Sequence, residues 1–248
     1  MIKIEGTARR QMVLFFIVDT SGSMDGVKIQ TVNNAIGEVL PKIREISDGN
    51  ADGEIRIAAL GFDNAAYWQT EMPQKVESFV WSDLSANGGT NLADALHKLN
   101  EKLTRKEGGF MVAAAGSFAP VLFLMSDGQP NDSSWERELE KLKENKWYKV
   151  AIKVALAIGS DADKDVLSKF TGTNETVLGV YTPEMLATAI KFVTVSTSQV
   201  GTSSTNPGSN NKPADTVESK QEQFINTLKA DMPAELSNAS SSLDDEGW

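Results

Sequence analysis

Three short stretches of the chain concentrate hard oxygen donors. They are Asp19-Thr20-Ser21-Gly22-Ser23, Gly88-Gly89-Thr90-Asn91 and Ser126-Asp127-Gly128. Carboxylate and hydroxyl oxygens suit Mg²⁺, Mn²⁺ or Ca²⁺, and they disfavour softer metals. Ser21 and Ser23 are two residues apart, so an extended turn sends both hydroxyls to one side. Glycines at 22, 88, 89 and 128 allow the backbone to bend tightly around a small ion. An isolated Asp-x-Ser-x-Ser is more simply a serine-rich helix cap. What raises the metal reading is the context of each stretch. Asp19 follows the apolar run Met12–Val18, Thr90 precedes a helical pattern, and Asp127 follows the apolar run Val121–Met125.

Those flanking elements must position the loops. The run Met12–Val18 has no polar alternation, as expected of a strand covered on both faces of a parallel sheet. Ile29, Val32, Ile36, Val39, Ile43 and Ile46 recur at steps of three and four and predict a helix that Pro41 kinks. Further strands are expected at Ile55–Phe62, Pro120–Met125, Lys149–Ile158 and Thr176–Tyr181, with short edge segments at Ala66–Thr70 and Val76–Trp81. Helices are expected at Leu92–Lys106, Ser133–Asn145 (Ser133 and Glu136 forming a capping box), Asp163–Phe170 and Pro183–Thr194. Gly108–Ala119 reads as a loop or a helix extension. Alternating strands and helices give an α/β, doubly wound, Rossmann-like fold. Its sheet is mainly parallel and six-stranded, the first strand is near the centre, and helices cover both faces. In such a sheet the three donor loops fall at the carboxyl ends of the strands, where ligands bind.

Composition narrows the chemistry. The chain has 248 residues, 40% of them hydrophobic, with 24 basic and 34 acidic side chains and a net charge of −10. The acidity argues against nucleic acid as a partner, since phosphate binding needs a basic face. Cysteine is absent, which removes disulfides, thiolate metal sites and cysteine nucleophiles, and which fits a cytoplasmic location. A single histidine, His97, removes a multi-histidine zinc site and reads as a surface residue. The Met12–Val18 run is too short to span a bilayer and lacks a small-residue cleavage site after it, so no membrane role is expected.

After Val200 the composition shifts to Ser, Asn, Gly and Pro. Residues 201–248 carry three Lys against eight Asp or Glu, a net −5. The expected organisation is one domain over 1–200 and a flexible acidic arm over 201–248, with a short helix at 217–230. Phe224, Ile225 and Leu228 form the apolar patch of that helix and could dock on a partner groove, making the chain a scaffold. Asp244, Asp245 or Glu246 could offer a ligand to the metal.

FIVDTSGSM, NGGTNLADAL and VLFLMSDGQPND together closely resemble the metal-ion-dependent adhesion site of von Willebrand factor A domains. The resemblance covers about Met12 to Ser198 and matches all five site positions: Asp19, Ser21, Ser23, Thr90 and Asp127. It implies that the three hydroxyls bind the metal, that the aspartates act directly or through water, and that one coordination position is open to an acidic side chain from a protein partner. Within that superfamily FIVDTSGSM, VNNAI, DGQPND and FVTVSTSQV are most similar to the bacterial tellurium-resistance TerY-type proteins. That likeness implies a tellurite or chemical stress-response system and a phosphatase or kinase of the same system as partner. It also implies movement of the last helix as a ligand-linked switch. The expected function is therefore a Mg²⁺-dependent protein-interaction module and not an enzyme. A metal-dependent hydrolase, phosphatase or nuclease, is the alternative. It would need a base or a second metal beside the first, and no paired metal cluster, nucleophile elbow or phosphate loop is apparent.

Overall fold

The computed structural model describes residues 9–202 and 218–236. Its centre is β1 (Arg10–Asp19), all of whose residues after Arg10 are buried. Alternate side chains serve opposite faces. Met12, Leu14, Phe16 and Val18 enter one core, and Val13, Phe15 and Ile17 enter the other. The unbroken apolar run is thus a strand covered twice, as its sequence requires.

β1 pairs in parallel with β2 (Gly53–Phe62) and β5 (Val121–Ser126). The sheet continues through β6 (Ile152–Ile158) to β7 (Val177–Val180), both parallel. On the other side, β3 (Ala66–Trp68) and β4 (Gln74–Lys75) both pair antiparallel to β2, at Leu60–Phe62 and Arg56–Ile57 respectively. Seven segments therefore fill six strand positions, with β3 and β4 lying along one edge. The second edge strand expected at Val76–Trp81 falls earlier, at Gln74–Lys75. Val76 is instead buried against α1 (Val27–Gly49), whose Arg44 bonds the Val76 carbonyl.

α1 and α6 (Pro183–Thr202) cover one face. α2 (Leu92–Lys102), α3 (Trp135–Lys143), α4 (Lys146–Val150) and α5 (Lys164–Thr171) contribute to the other. α1 runs through Pro41 as one 23-residue element. The capping box at Ser133 does not form. α3 starts at Trp135, and the Asp132 carboxylate accepts from the Ser134 backbone and hydroxyl. The Asn145 side chain accepts from Trp147 and Tyr148 backbone N–H groups, so a new helix opens where a strand was expected from Lys149. Gly108–Ala119 is irregular, tied to β1 through Gln11, whose side chain bonds Phe110 O and Ser117 Oγ.

α7 (Glu218–Asp231) closes the amino end of the sheet beside β6. Of Phe224, Ile225 and Leu228, the patch that could dock on a partner, Phe224 and Leu228 turn into the α1/α6 core and Ile225 is half-buried. The spacing of four between Phe224 and Leu228 puts both on one inward face. Asp244, Asp245 and Glu246 lie outside the described residues. Among those described, no helix is long and apolar enough to cross a membrane.

Candidate metal centre

β1 ends at Asp19 and β5 at Ser126, adjacent strands whose carboxyl ends open on the same side of the sheet. Asp19 is fully buried, and both of its oxygens are engaged. Oδ1 accepts from the Ser21 backbone N–H at 2.9 Å, and Oδ2 accepts from the Ser126 hydroxyl at 2.6 Å. Burial raises the Asp19 carboxyl above its ordinary range, the Ser126 and Ser21 bonds oppose that rise, and the nearby negative charge of Asp127 adds to it. Ser126 in turn accepts from Gly128 N at 2.8 Å, so one hydroxyl couples the Asp19 and Asp127 loops.

The Ser21–Ser23 turn is a short 3-10 segment, Gly22–Met24, anchored by the buried Met24. It brings Ser21 Oγ and Ser23 Oγ to 3.1 Å. Adjacent oxygens of a Mg²⁺ octahedron with ~2.1 Å bonds lie roughly 3.0 Å apart, so this spacing suits that ion. Gly22 N donates to Gly88 O at 3.0 Å, and a β-carbon at Gly22 would stand 3.2 Å from that oxygen. Glycine at 22 thus favours the close approach of the first two loops, since a side chain there would push them a few tenths of an ångström apart.

The Thr90 loop is clamped by two asparagines. Asn64 Oδ1 accepts from Gly89 N at 2.9 Å, and Asn131 Oδ1 accepts from Thr90 N at 3.1 Å while its own backbone N–H donates to Thr90 O. Asn91, expected as a helix cap, accepts from Asp94 N in that role.

Asp127 is the diagnostic residue. It is 0% exposed, and Oδ1 is the one buried side-chain polar atom without a partner among the described residues. A buried carboxylate oxygen left unpaired costs several kcal/mol by order of magnitude unless a cation meets it. The other oxygen, Oδ2, accepts from Lys28 Nζ at 3.1 Å, and the same ammonium reaches Asp161 Oδ2 at 2.8 Å. Partial burial lowers the Lys28 ammonium, but its bonds to Asp161 and Asp127 outweigh this and hold it above the usual lysine range.

The structure thus gathers the loops of all five residues read from the sequence. The donor set fits a divalent cation on three observations: the orphaned Oδ1, the paired serine hydroxyls and the glycine-favoured approach of the loops. Asn64, Lys28, Ser126 and Asp161 were not singled out from sequence. Ser126 sat inside a quoted loop, but nothing local marks a hydroxyl that reaches 107 residues back to Asp19. His97 is exposed between Glu101 and Glu138, as a surface histidine should be.

Comparison with known proteins agrees with this architecture. The pig inter-alpha-trypsin inhibitor heavy chain H2 is 25% identical over 171 residues, covering 65% of this chain and 17% of that protein. The chain therefore spans only a small part of the length of the curated relatives it matches. A von Willebrand factor type A protein from Catenulispora acidiphila superposes with a TM-score of 0.56 at 18% identity, over 76% of this chain and 43% of the other. Proximal thread matrix protein 1 of the mussel byssus, solved with a zinc-occupied metal-ion-dependent adhesion site, gives 0.50 at 18% identity, over 75% and 46%. The profile of the von Willebrand factor type A domain matches residues 14–194, which contain every site residue above, and the chain belongs to that family.

Proposed function

We propose that the chain is a divalent-metal-dependent protein-interaction module. Its metal is held by Ser21, Ser23 and Thr90 through hydroxyls and by Asp127, with Asp19 orienting the first loop and acting through water. The observation that carries this reading is the unpaired, fully buried Asp127 Oδ1, at the carboxyl end of the strand adjacent to the one that delivers the converged Ser21 and Ser23 hydroxyls. The preferred ion is Mg²⁺, on the 3.1 Å hydroxyl spacing, with Mn²⁺ as a close substitute and Ca²⁺ a larger one. The mussel relative shows that a site of this family also takes zinc. A bound divalent ion supplies a Lewis-acid position for an acidic side chain of a protein partner.

Both Asp19 oxygens are already bonded, so Asp19 sets the geometry of the Ser21 turn more than it shares charge with the ion. That leaves the ion facing mostly neutral hydroxyls, and it stays hungry for an anion. Family membership supports an interaction role over catalysis, since these domains are generally non-enzymatic binding modules. The five-residue cluster itself offers no histidine or lysine as a general base, and Lys28 is committed to two carboxylates. The FIVDTSGSM, VNNAI, DGQPND and FVTVSTSQV segments support a place in a bacterial tellurite or chemical stress system.

The test is capture of partners from a lysate of the native source by wild type and Asp19→Ala, in Mg²⁺ and in EDTA. Capture that needs both Asp19 and the ion is expected. Capture unaffected by either overturns the reading, and turnover of a generic phosphate ester by wild type but not Asp19→Ala would restore the hydrolase.

A further inference from the structure

Lys28 occupies a position that local chemistry disfavours. It is the second residue of α1, and a cation in the first turn opposes the positive end of the helix dipole. That turn carries no acidic residue and its N-cap Gly26 offers no side chain, so nothing within the helix compensates. The compensation comes from two other loops. Lys28 Nζ bonds Asp127 Oδ2 at 3.1 Å and Asp161 Oδ2 at 2.8 Å, and the two carboxylates are opposite in character. Asp127 is fully buried, whereas the Asp161 side chain is 60% exposed.

The surroundings are shaped for this lysine. Gly159 has φ +92°, and a β-carbon there would stand 2.8 Å from both Lys28 Cε and Asp161 Oδ1. Any other residue would push the lysine stem or its second carboxylate aside. The loop carrying Asp161 is also fixed to the Asp127 loop, through Asp163 N donating to Asp127 O at 2.7 Å and Gln129 Nε2 donating to Asp161 O at 3.1 Å. The ammonium is therefore held on the side of Asp127 that the unpaired Oδ1 does not occupy.

We propose that Lys28 is a positioning and specificity-determining residue of the metal centre: it competes with the divalent ion for the charge of Asp127 and, once the ion is bound, leaves the centre net positive, so that it selects an anionic ligand. This inference rests on the metal-site reading above. Its electrostatics are simple. A divalent ion set against two buried aspartates is neutral, and a lysine fixed beside one of them makes the cluster +1. Asp161 balances that charge, but from the solvent edge: its side chain is 60% exposed whereas Asp19 and Asp127 are buried, so the excess positive charge lies on the inner side of the cluster. Lys28 also keeps Asp127 a one-oxygen ligand, since Oδ2 is already taken. The site thus gives up cation affinity and gains demand for a carboxylate.

The experiment uses the full chain and Mn²⁺ as the probe, with free ion read by electron paramagnetic resonance. Lys28→Met removes the competing charge and keeps the stem's packing. The expected result is Mn²⁺ affinity tightened by at least about tenfold, a lower bound, because the repulsion between an ammonium and a nearby ion exceeds that factor at intermediate dielectric and is reduced toward it by Asp161 and water. A residue that merely propped the loop would loosen binding on removal, so tightening is a readout that structural support alone cannot give. Acetate, as the anionic probe, should then protect bound Mn²⁺ less in Lys28→Met than in wild type. Unchanged or weakened Mn²⁺ affinity in Lys28→Met overturns the proposal. A metal-free arm separates the two readings. In EDTA, a double-mutant cycle of Lys28→Met with Asp127→Asn, followed by denaturant unfolding, should show coupling between the two residues. Coupling in a chain that binds no Mn²⁺ would keep the ion pair but sink both the metal reading and the competition. Absence of coupling sinks the role given to Lys28 even if Mn²⁺ binds.

Discussion

At the residue scale, the proposed metal centre depends on atoms that are forced together by backbone shape as much as by side-chain type. Gly128 follows Asp127 with φ +71°, the left-handed region, and a β-carbon there would stand 2.4 Å from the Asp163 carbonyl oxygen. That oxygen belongs to backbone, so it cannot rotate away as a side chain would. The Gly128 amide also donates to Ser126 Oγ, which bonds Asp19 Oδ2. Replacing this one glycine therefore strains the turn, displaces Asp127 and loosens Asp19. Gly128→Ala is expected to cost about 2 kcal/mol or more of stability, combining left-handed strain with a backbone clash. It is also expected to abolish Mn²⁺ binding in the same resonance titration. Near-normal binding by a folded Gly128→Ala chain would show that the turn does not position Asp127. Gly26 makes the contrast: it too has positive φ, but a β-carbon there meets nothing within 4 Å, so alanine at 26 would carry backbone strain without the clash that Gly128→Ala adds.

At the scale of elements, the donor loops and their strands were legible because each signal is local. An apolar run, an Asp-x-Ser-x-Ser and a Gly-Gly-Thr before a helical stripe are all read within ten residues. The partners that tune the site were not legible, because they arrive from far along the chain: Asn64 to Gly89, Lys28 to Asp161, Ser126 to Asp19. Edges failed for a related reason. The residues of β4, Gln74 and Lys75, show no strand pattern, and only pairing with Arg56 and Ile57 makes them one.

β6 carries another residue that sequence alone would place at a surface. Lys153 is largely buried, its ammonium bonded to Tyr148 O and Ala151 O, and burial lowers it to about 8. The sign follows from linkage. A lysine whose folded value lies below its unfolded value of about 10.4 is penalised for its charge at and below pH 8, and the penalty fades as pH rises from about 8 to 10.4. The full shift corresponds to roughly 3 kcal/mol, reduced in practice by the carbonyls that a replacement would leave unpaired. Lys153→Met should therefore be more stable than wild type by about 1–2 kcal/mol at pH 7, and the advantage should shrink toward pH 10. Urea unfolding of both proteins at the two pH values decides it. A difference independent of pH would mean that Lys153 keeps an ordinary lysine value.

At the scale of the whole molecule, the donor-loop end and the amino end of the sheet do different work. The carboxyl ends of β1 and β5 present the donor loops, while α7 seals the opposite end of β6. β7 pairs with β6 only from Ala155 onward, which leaves the Lys153 backbone beyond the ladder. The Gln221 side chain takes the missing strand's place, accepting from Lys153 N at 3.0 Å and donating to Lys153 O at 3.2 Å. Phe224 is fully buried in the core that also holds Met12, Leu14 and Ile190, so α7 belongs to the folded unit that β1 organises. Phe224→Ala should cost about 3–5 kcal/mol, the range for emptying a closed aromatic site. Because the cavity opens at the amino end of the sheet, Mn²⁺ affinity of the folded protein should stay within about twofold of wild type, as expected for well-separated sites. Denaturant unfolding and the resonance titration measure the two effects separately. A cost under about 1 kcal/mol would show that α7 adheres without supporting the core. A large loss of Mn²⁺ affinity at full folding would show instead that the two ends of the sheet are energetically coupled, with α7 as the element through which a change at one end reaches the other.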